Sequence, residues 1–202
     1  MIGTVRRWWR EPDHYYWITA ILAARSAQGE VCRLISVLTL GLGCLPAVMI
    51  WSPAGPSSSY SKMIALVVGV CSAGVAAYWA RRRWPTRTQS LAFAGLITAS
   101  IVVMSFTHTN PVSGFVTGCS LVAIAAYLVF FHTSRYLLVM VVVALGTMAV
   151  PIARLGLAGD VVWAAYLLIT ATVVIAAVSF VSQALVHLLG IAAPNTDIER
   201  VT

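Results

Sequence analysis

Six apolar stretches divide the 202-residue chain, and short polar or glycine- and proline-containing segments separate them. A helix needs about 20 mostly apolar residues to cross the hydrocarbon core of a bilayer. The stretches that approach or meet this length are residues 34–51, 63–80, 89–106, 115–131, 136–153 and 161–185. The pattern therefore predicts an all-α integral membrane protein with six transmembrane helices.

The composition favours the same class. Hydrophobic residues make up 60% of the chain and charged residues only 9%, whereas soluble domains carry about 25% charged residues. The formal net charge of +7 does not indicate nucleic-acid binding, because most of the arginines lie close to apolar stretches, where positive charge sets membrane topology. We therefore expect the lipid bilayer, and no nucleic acid, as a partner.

The positive charge is distributed unevenly between the two sides of the predicted bundle. Cytoplasmic loops of membrane proteins carry an excess of Lys and Arg. With the N-terminus placed in the cytoplasm, two of the 13 Lys and Arg residues, Lys62 and Arg154, fall on the outer side. The other eleven fall on the inner side: Arg6, Arg7, Arg10, Arg25, Arg33, Arg81, Arg82, Arg83, Arg87, Arg135 and Arg200. This bias predicts a multi-pass plasma-membrane protein with both termini cytoplasmic.

Residues 1–30 form a separate cytoplasmic segment ahead of the six-span domain at 31–189. Pro12 and Asp13 are typical of a helix start. Apolar residues then recur near helical spacing at Tyr16, Trp17, Ile21 and Leu22, opposite His14, Thr19 and Arg25. This pattern predicts an amphipathic helix on the inner membrane surface; a plain cytoplasmic tail is the alternative.

The sixth apolar stretch is longer than a bilayer requires. It stays apolar to about residue 189 and would reach about 43 Å as a helix, against a hydrocarbon core of about 30 Å. Ser179, Gln183 and His187 recur every four residues within it and would share one helix face. We therefore expect the helix to leave the membrane near 180–185, with these three residues as a signal-relay face before a short tail at 190–202.

Small residues repeat along the second stretch. Ala65, Gly69, Ala73 and Ala77 lie four residues apart, and such a stripe lets two helix backbones approach closely in lipid. The stripe predicts helix packing within the bundle, or alternatively a dimer seam. Small residues that would face it are Gly95 and Ala99 in the third stretch and Gly114 and Gly118 in the fourth.

Ionisable groups inside a membrane are functional candidates by default, and they are scarce here. Arg154 and Asp160 flank the fifth connection and are expected to form an ion pair at the outer edge, or alternatively a ligand site. His108 and His132 fall on opposite sides, so they would not share a metal. No catalytic, cofactor-binding or metal-binding residue is therefore predicted.

Two segments carry a resemblance to a known family. The chain opens with Trp-Trp-Arg-Glu-Pro-Asp-His-Tyr-Tyr-Trp at 8–17 and closes with Asn-Thr-Asp-Ile-Glu-Arg-Val-Thr at 195–202. This arrangement around six spans resembles the membrane half of actinobacterial diguanylate cyclases of the GGDEF family. Asp197 and the terminal Val201-Thr202 are similar to the opening of the cyclase domain, but the GGDEF loop and its metal carboxylates are absent from these residues. The resemblance implies a sensing half that precedes a cyclic di-GMP-forming output, and it carries no catalytic residue over.

The function expected from these patterns is a membrane sensor or anchoring module. It would relay a signal through its last helix to a cytoplasmic effector, and self-association as a homodimer would suit that role. A small-solute transporter that uses Arg154 at its outer entrance is the alternative. A membrane protein without an output of its own is a third interpretation.

Overall fold

The computed structural model describes residues 15–133 and 135–192, and it describes only the backbone of residues 179, 183, 186, 187 and 189–192. These ranges contain helices and connecting turns, with no strand. The helices are α1 (Tyr15–Ala24), α2 (Gln28–Val48), α3 (Ser59–Ala80), α4 (Arg87–Thr107), α5 (Pro111–Cys119), α6 (Leu121–Phe131), α7 (Arg135–Leu157) and α8 (Val161–Ala192).

Six helical spans are long and apolar enough to cross a bilayer, which confirms the predicted number and the all-α class. Helix α2 with the 3₁₀ turn Met49–Trp51 forms the first span, and α5 with α6 forms the fourth. Local sequence fixes several helix starts, because the first backbone N–H groups of a helix need acceptors. Ser58 caps α3, Thr86 and Gln89 form a capping box on α4, and Asn110 precedes Pro111 at the start of α5.

Successive spans run antiparallel, so the bundle has two chemically different ends. We call one the basic end, because the described arginines Arg25, Arg33, Arg81, Arg82, Arg83, Arg87 and Arg135 lie at helix ends and connections on that side. Lys62 and Arg154 lie toward the other end, which we call the opposite end. This placement agrees with the division of charge that the sequence predicts.

The spans pack as two units. The main hydrophobic core draws its buried residues from α4, α5, α6, α7 and α8, with Leu121, Met140, Met148 and Leu167 among them. Helices α2 and α3 contribute none of these residues and pack extensively on each other. Lipid supplies no hydrophobic drive between helices, so close backbone approach must hold such a pair together.

The small-residue stripe of α3 takes part in this pairing only at one end. Ala65 and Gly69 are buried, and a Cβ built on Gly69 would lie 3.4 Å from the Cβ of Ala47 in α2. Ala73 is half-buried and Ala77 is exposed, because the contact face turns toward Ser72, Val75 and Ala76 instead. The predicted partners in the third and fourth spans are wrong: Gly95 and Ala99 are exposed, and Gly114 and Gly118 lie against Ser105 and Met148.

Helix α1 packs on the basic end through part of the predicted face. Trp17 and Leu22 are half-buried against a cluster formed by Tyr15, Ile18 and Phe131. Tyr16 is 70% exposed, so its predicted place in this face is wrong, and Tyr15 and Ile18, which the spacing did not single out, are the most buried residues of α1. The predicted start at Pro12 and Asp13 lies outside the described residues.

Helix α8 is continuous over 32 residues, a length of about 48 Å. The side chains of Ser179, Gln183 and His187, the predicted relay face, lie outside the described part of the chain. The tail that carries the family resemblance, 195–202, lies outside it as well. The relay face therefore stays a prediction.

Candidate functional site

A cavity of about 400 Å³ lies between the first four spans. It extends from Trp79, Ser90 and Tyr127 near the basic end to His108 and Thr117 near the opposite end. Its walls are mainly apolar and include Ile35, Leu42, Phe93, Ile97, Ile101 and Ile124. The volume lies within the range of pockets that hold drug-sized ligands.

The cavity exists because the α2–α3 pair meets the rest of the bundle mainly at its two ends. Near the basic end, Trp79 packs in a cluster with Phe93 and Tyr127. Near the opposite end, Ala65 and Val68 pack with Met104, and the N–H of Thr109 donates to the carbonyl of Gly55 at 3.3 Å. Between these contacts the cavity lies between the two packing units, and residues of both line it.

One side of the cavity faces out of the bundle. Leu38 and Leu45 of α2 line it and are 51% and 55% exposed, and Val116 of α5 lines it from across the gap and is 61% exposed. Helix α2 packs chiefly on α3 rather than on α5. The gap between α2 and α5 is therefore a lateral opening with apolar edges.

A group of packed and partly hydrogen-bonded side chains lies at the basic end of the cavity. We call it the basic-end cluster, and it consists of Tyr15, Trp84, Ser90, Tyr127 and His132. The Ser90 hydroxyl lies 2.6 Å from the hydroxyl of Tyr127 and 2.8 Å from Nε2 of His132. The imidazole of His132 is fully buried and stacks on Tyr15 at 5.1 Å between ring centroids.

The Tyr15 hydroxyl connects α1 to the loop before α4 by donating to the carbonyl of Pro85. Burial raises the pKa of Tyr15 well above its ordinary value, so this phenol stays protonated and remains a donor. Because Ser90 and Tyr127 also line the cavity, residues that line this end of the cavity belong to the cluster that holds α1.

At the opposite end, His108 is 3% exposed and its Nε2 lies 3.0 Å from Oγ1 of Thr117. The Thr117 hydroxyl donates its own proton to the carbonyl of Ser113 at 2.9 Å. Thr117 must therefore accept from His108, which places the imidazole proton on Nε2. Burial lowers the pKa of His108 below its ordinary value, so the ring is held neutral.

Arg154 does not pair with Asp160, so the predicted outer-edge ion pair is wrong. Its guanidinium donates to the carbonyls of His108 and Thr109, at 3.3 and 3.2 Å, where α4 ends. Asp160 instead accepts from the backbone N–H of Trp163 at 3.2 Å and caps α8. Exposed carbonyls at a helix C-terminus attract a cation, which explains why Arg154 binds the end of α4 and not Asp160.

Four hydroxyl groups line the cavity near the middle of their spans: Thr39 of α2, Ser72 of α3, Ser100 of α4 and Ser120 between α5 and α6. In the part of the chain that the structure describes, none of the four side chains makes a hydrogen bond. Ser72 is only 4% exposed. We call these four residues the hydroxyl belt.

The fourth span is interrupted at the belt. Tight turn bonds replace regular helix at Ser120: its N–H donates to the carbonyl of Thr117 at 3.1 Å, and its carbonyl accepts from Ala123 at 3.2 Å. Interruptions of membrane helices at this depth occur where the backbone lines a cavity. The break therefore belongs to the cavity wall.

The cavity wall combines apolar surface with a few uncharged polar groups. No charged residue contributes to the cavity wall among the described residues. In the same part of the chain, no group of three or more His, Cys, Asp or Glu side chains is close enough to hold a metal ion. The cavity thus offers apolar surface, hydroxyls and one neutral imidazole.

The sequence analysis identified only some of the residues at the two ends of the cavity, and it identified none of the hydroxyl residues between them. It placed His108 in an outer turn and His132 in an inner one, but it singled out neither Ser90 nor Tyr127. Ser72 and Ser120 also escaped notice. Both are hydroxyl residues near the middle of an apolar stretch, which is the signal that could have identified them.

No family model matches the chain, and neither a curated protein nor a solved structure matches it. The site therefore has to be interpreted from its own chemistry.

Proposed function

We propose that the protein is a membrane sensor whose cavity takes up an apolar ligand from the bilayer. The cavity of about 400 Å³ with its apolar lateral opening is the observation that supports this function. A ligand already dissolved in lipid gains little from apolar burial alone. Close contact with the cavity wall, and hydrogen bonds that lipid cannot supply, would have to provide the affinity.

The orientation in this proposal follows the charge. Most described arginines lie at the basic end, and positive charge favours the cytoplasmic face. Both termini would then be cytoplasmic, the protein would reside in the plasma membrane, and α1 would lie near the inner leaflet.

The basic-end cluster supplies a route from the cavity to α1. A ligand that displaces Tyr127 or Ser90 would disturb the hydrogen bond to His132 and the stacking of His132 on Tyr15. Because Tyr15 is one of two buried residues through which α1 packs, the attachment of α1 would depend on the occupancy of the cavity.

A second route leads to α8. Helix α6 carries Tyr127 and packs on both α7 and α8. A shift of α6 would therefore reach the helix that carries Ser179, Gln183 and His187. A second copy of the chain or a cytoplasmic effector would receive the change there, as the resemblance to the membrane half of diguanylate cyclases suggests.

The proposal is tested by photolabelling in lipid nanodiscs with a hydrocarbon probe that carries a diazirine. We expect saturable labelling of peptides from α2, α4 and α5, which excess unlabelled hydrocarbon prevents. Ala123→Phe should abolish that labelling, because Ala123 lines the cavity and a phenyl ring would occupy it. Ala176→Phe is the matched control, because Ala176 is exposed on α8 and lies outside the cavity.

Labelling that is equal in Ala123→Phe and Ala176→Phe would contradict a ligand cavity. Hydrogen exchange of the two variants checks that both retain the fold. Labelled wild type should also show faster exchange in α1 than unlabelled protein, and unchanged exchange in α1 would remove the proposed route to that helix.

The transporter alternative has less support. A carrier that uses Arg154 as its entrance needs this side chain in the cavity wall, whereas Arg154 donates to the carbonyls at the end of α4 and does not line the described cavity. Uptake of a solute into proteoliposomes that Arg154→Ala abolishes, with the fold retained, would reverse this preference.

A further inference from the structure

The hydroxyl belt is unusual within this protein. A hydroxyl in a membrane helix commonly donates to the backbone carbonyl four residues earlier. Thr147, Thr170 and Thr172 do this, at 2.7, 2.9 and 2.9 Å. No such bond is found for Thr39, Ser72, Ser100 or Ser120 among the described residues, so four hydroxyls on the cavity wall keep their hydrogen-bonding capacity for something other than the described chain.

Unsatisfied hydroxyls are costly in surroundings without water. A hydroxyl without a partner loses the hydrogen bonds that it would make in water, and hydrocarbon from the lateral opening offers no partner. The belt therefore needs an occupant that brings oxygen atoms to the middle of the cavity.

The charge of that occupant follows from the lining. No charged side chain lines the described cavity, and the imidazole of His108 at its opposite end is neutral. An ionised group brought to this depth would lose its hydration without gaining a counter-ion. The uncharged hydroxyls of the belt can, in contrast, form hydrogen bonds with a neutral hydroxyl or carbonyl group.

Building on the proposed function, we propose that the ligand is a neutral, mainly hydrocarbon molecule whose hydroxyl or carbonyl oxygen hydrogen-bonds to the hydroxyl belt. Two kinds of bilayer component carry this chemistry: quinones, whose carbonyls only accept, and acylglycerols, whose hydroxyls donate and accept. Serine and threonine hydroxyls suit both, because each can donate or accept.

The positions of Ser120 and Ser72 strengthen this assignment. The Ser120 hydroxyl lines the cavity at the tight turn between α5 and α6 and makes no hydrogen bond among the described residues. Ser72 lies across the cavity on α3 and contacts the backbone of Gly43 so closely that a Cβ there would overlap it. The two groups are thus held on opposing walls.

The experiment uses the full chain in nanodiscs and diazirine probes of one chain length with different heads. The heads are none, a monoacylglycerol, a prenyl-like quinone, a carboxylate and an ammonium. We expect at least one of the two neutral oxygen probes to label the cavity at about tenfold lower concentration than the plain hydrocarbon. The carboxylate and ammonium probes should be weaker than that neutral probe by a similar factor.

Removal of belt hydroxyls should abolish the preference for the neutral oxygen probe and still allow the plain hydrocarbon probe to bind. In a Ser72→Ala/Ser120→Ala variant, the neutral oxygen probe should fall to the level of the plain hydrocarbon, whose labelling stays unchanged. The matched control is Thr170→Val/Thr172→Val, which removes two hydroxyls from α8 outside the cavity and should leave the preference intact.

The possible failures are distinguishable. If no probe labels the cavity saturably, the proposed sensor function fails. If all probes label it equally, or a charged probe labels it best, the neutral-oxygen assignment is overturned while the cavity remains a binding site. If the preference survives in Ser72→Ala/Ser120→Ala, the belt is not the group that recognises the oxygen. The two neutral probes separate quinone from acylglycerol as the source.

Discussion

The α2–α3 pair and the α4–α8 core solve the same packing problem in different ways. The pair is held by backbone approach, with Gly43 against Ser72 and Gly69 against Ala47. The core interdigitates larger side chains such as Leu121, Met140 and Met148. The cavity lies where these two kinds of surface meet. When each of two units packs mainly within itself, space remains where the two units meet. We expect the functional site of such a bundle in that space.

The largest expected effect comes from breaking the pair at its closest point. A Cβ at Gly43 would overlap the Cβ and Oγ of Ser72, so Gly43→Ala should force the helices apart and cost about 3 kcal/mol. Gly41→Ala is the matched control, because nothing lies within 4 Å of a Cβ at Gly41. The measurement is thermal unfolding in detergent, combined with hydrogen exchange.

Exchange should accelerate in α2 and α3 of Gly43→Ala and remain slow in α6 and α7. Equal acceleration throughout the bundle would show that the two units are not independent, which would contradict the comparison.

The complementary change loosens the core instead of the pair. A Cβ at Gly114 would lie 2.5 Å from the carbonyl oxygen of Ser105, whose hydroxyl donates to the carbonyl of Gly114 at 2.7 Å. We expect Gly114→Ala to cost about 2–3 kcal/mol and to speed exchange in α4 and α5. Gly146→Ala, at a position with nothing within 4 Å, should leave stability nearly unchanged. If Gly114→Ala left stability unchanged, α4 and α5 would be less tightly packed than described.

A third change weakens the seam at the basic end. Ser90→Ala removes the group that lies between Tyr127 and His132, and we expect a loss of about 1–2 kcal/mol in the free energy of unfolding. It should also release α1, seen as faster proteolysis near residue 24. Thr88→Ala, at an exposed position of the same helix outside the cavity, is the control and should change stability by less than about 0.5 kcal/mol. Tight retention of α1 in Ser90→Ala would contradict the role of the basic-end cluster.

The smallest expected effect concerns the opposite end of the seam. Burial lowers the pKa of His108, so the unfolded chain binds a proton more readily than the folded one. The stability that depends on neutral His108 is therefore fully present above its unfolded pKa of about 6.5 and is lost as the pH falls through the lower, folded pKa. The unfolding temperature should decline over that window in wild type and decline less in His108→Gln. Identical pH profiles would assign the decline to other groups.

The spans were predictable from sequence because apolarity over about 20 residues is a local property. The third span illustrates this: the sequence predicts 89–106 and the structure places α4 at Arg87–Thr107. The two extra residues at the start of α4 lie between Thr86 and Gln89, whose capping box satisfies backbone donors and contributes no apolarity.

The site was harder to predict because it depends on which face each helix buries. The stripe on α3 looked complete at four-residue spacing, yet a helix has 3.6 residues per turn, and the contact face drifts from Gly69 to Ala76 and leaves Ala77 exposed. The bonds between Ser90 and His132 and between Arg154 and His108 join residues 42 and 46 positions apart. No local pattern specifies such pairs.

The length of α8 has a mechanical consequence. An unbroken helix of 32 residues exceeds a hydrocarbon core of about 30 Å by about 18 Å. A rod of that kind acts as a lever: a tilt of about 10° at the membrane would move its far end by about 3 Å, roughly the length of one hydrogen bond. A displacement too small to open the bundle would then suffice to make or break a contact at the end of the rod.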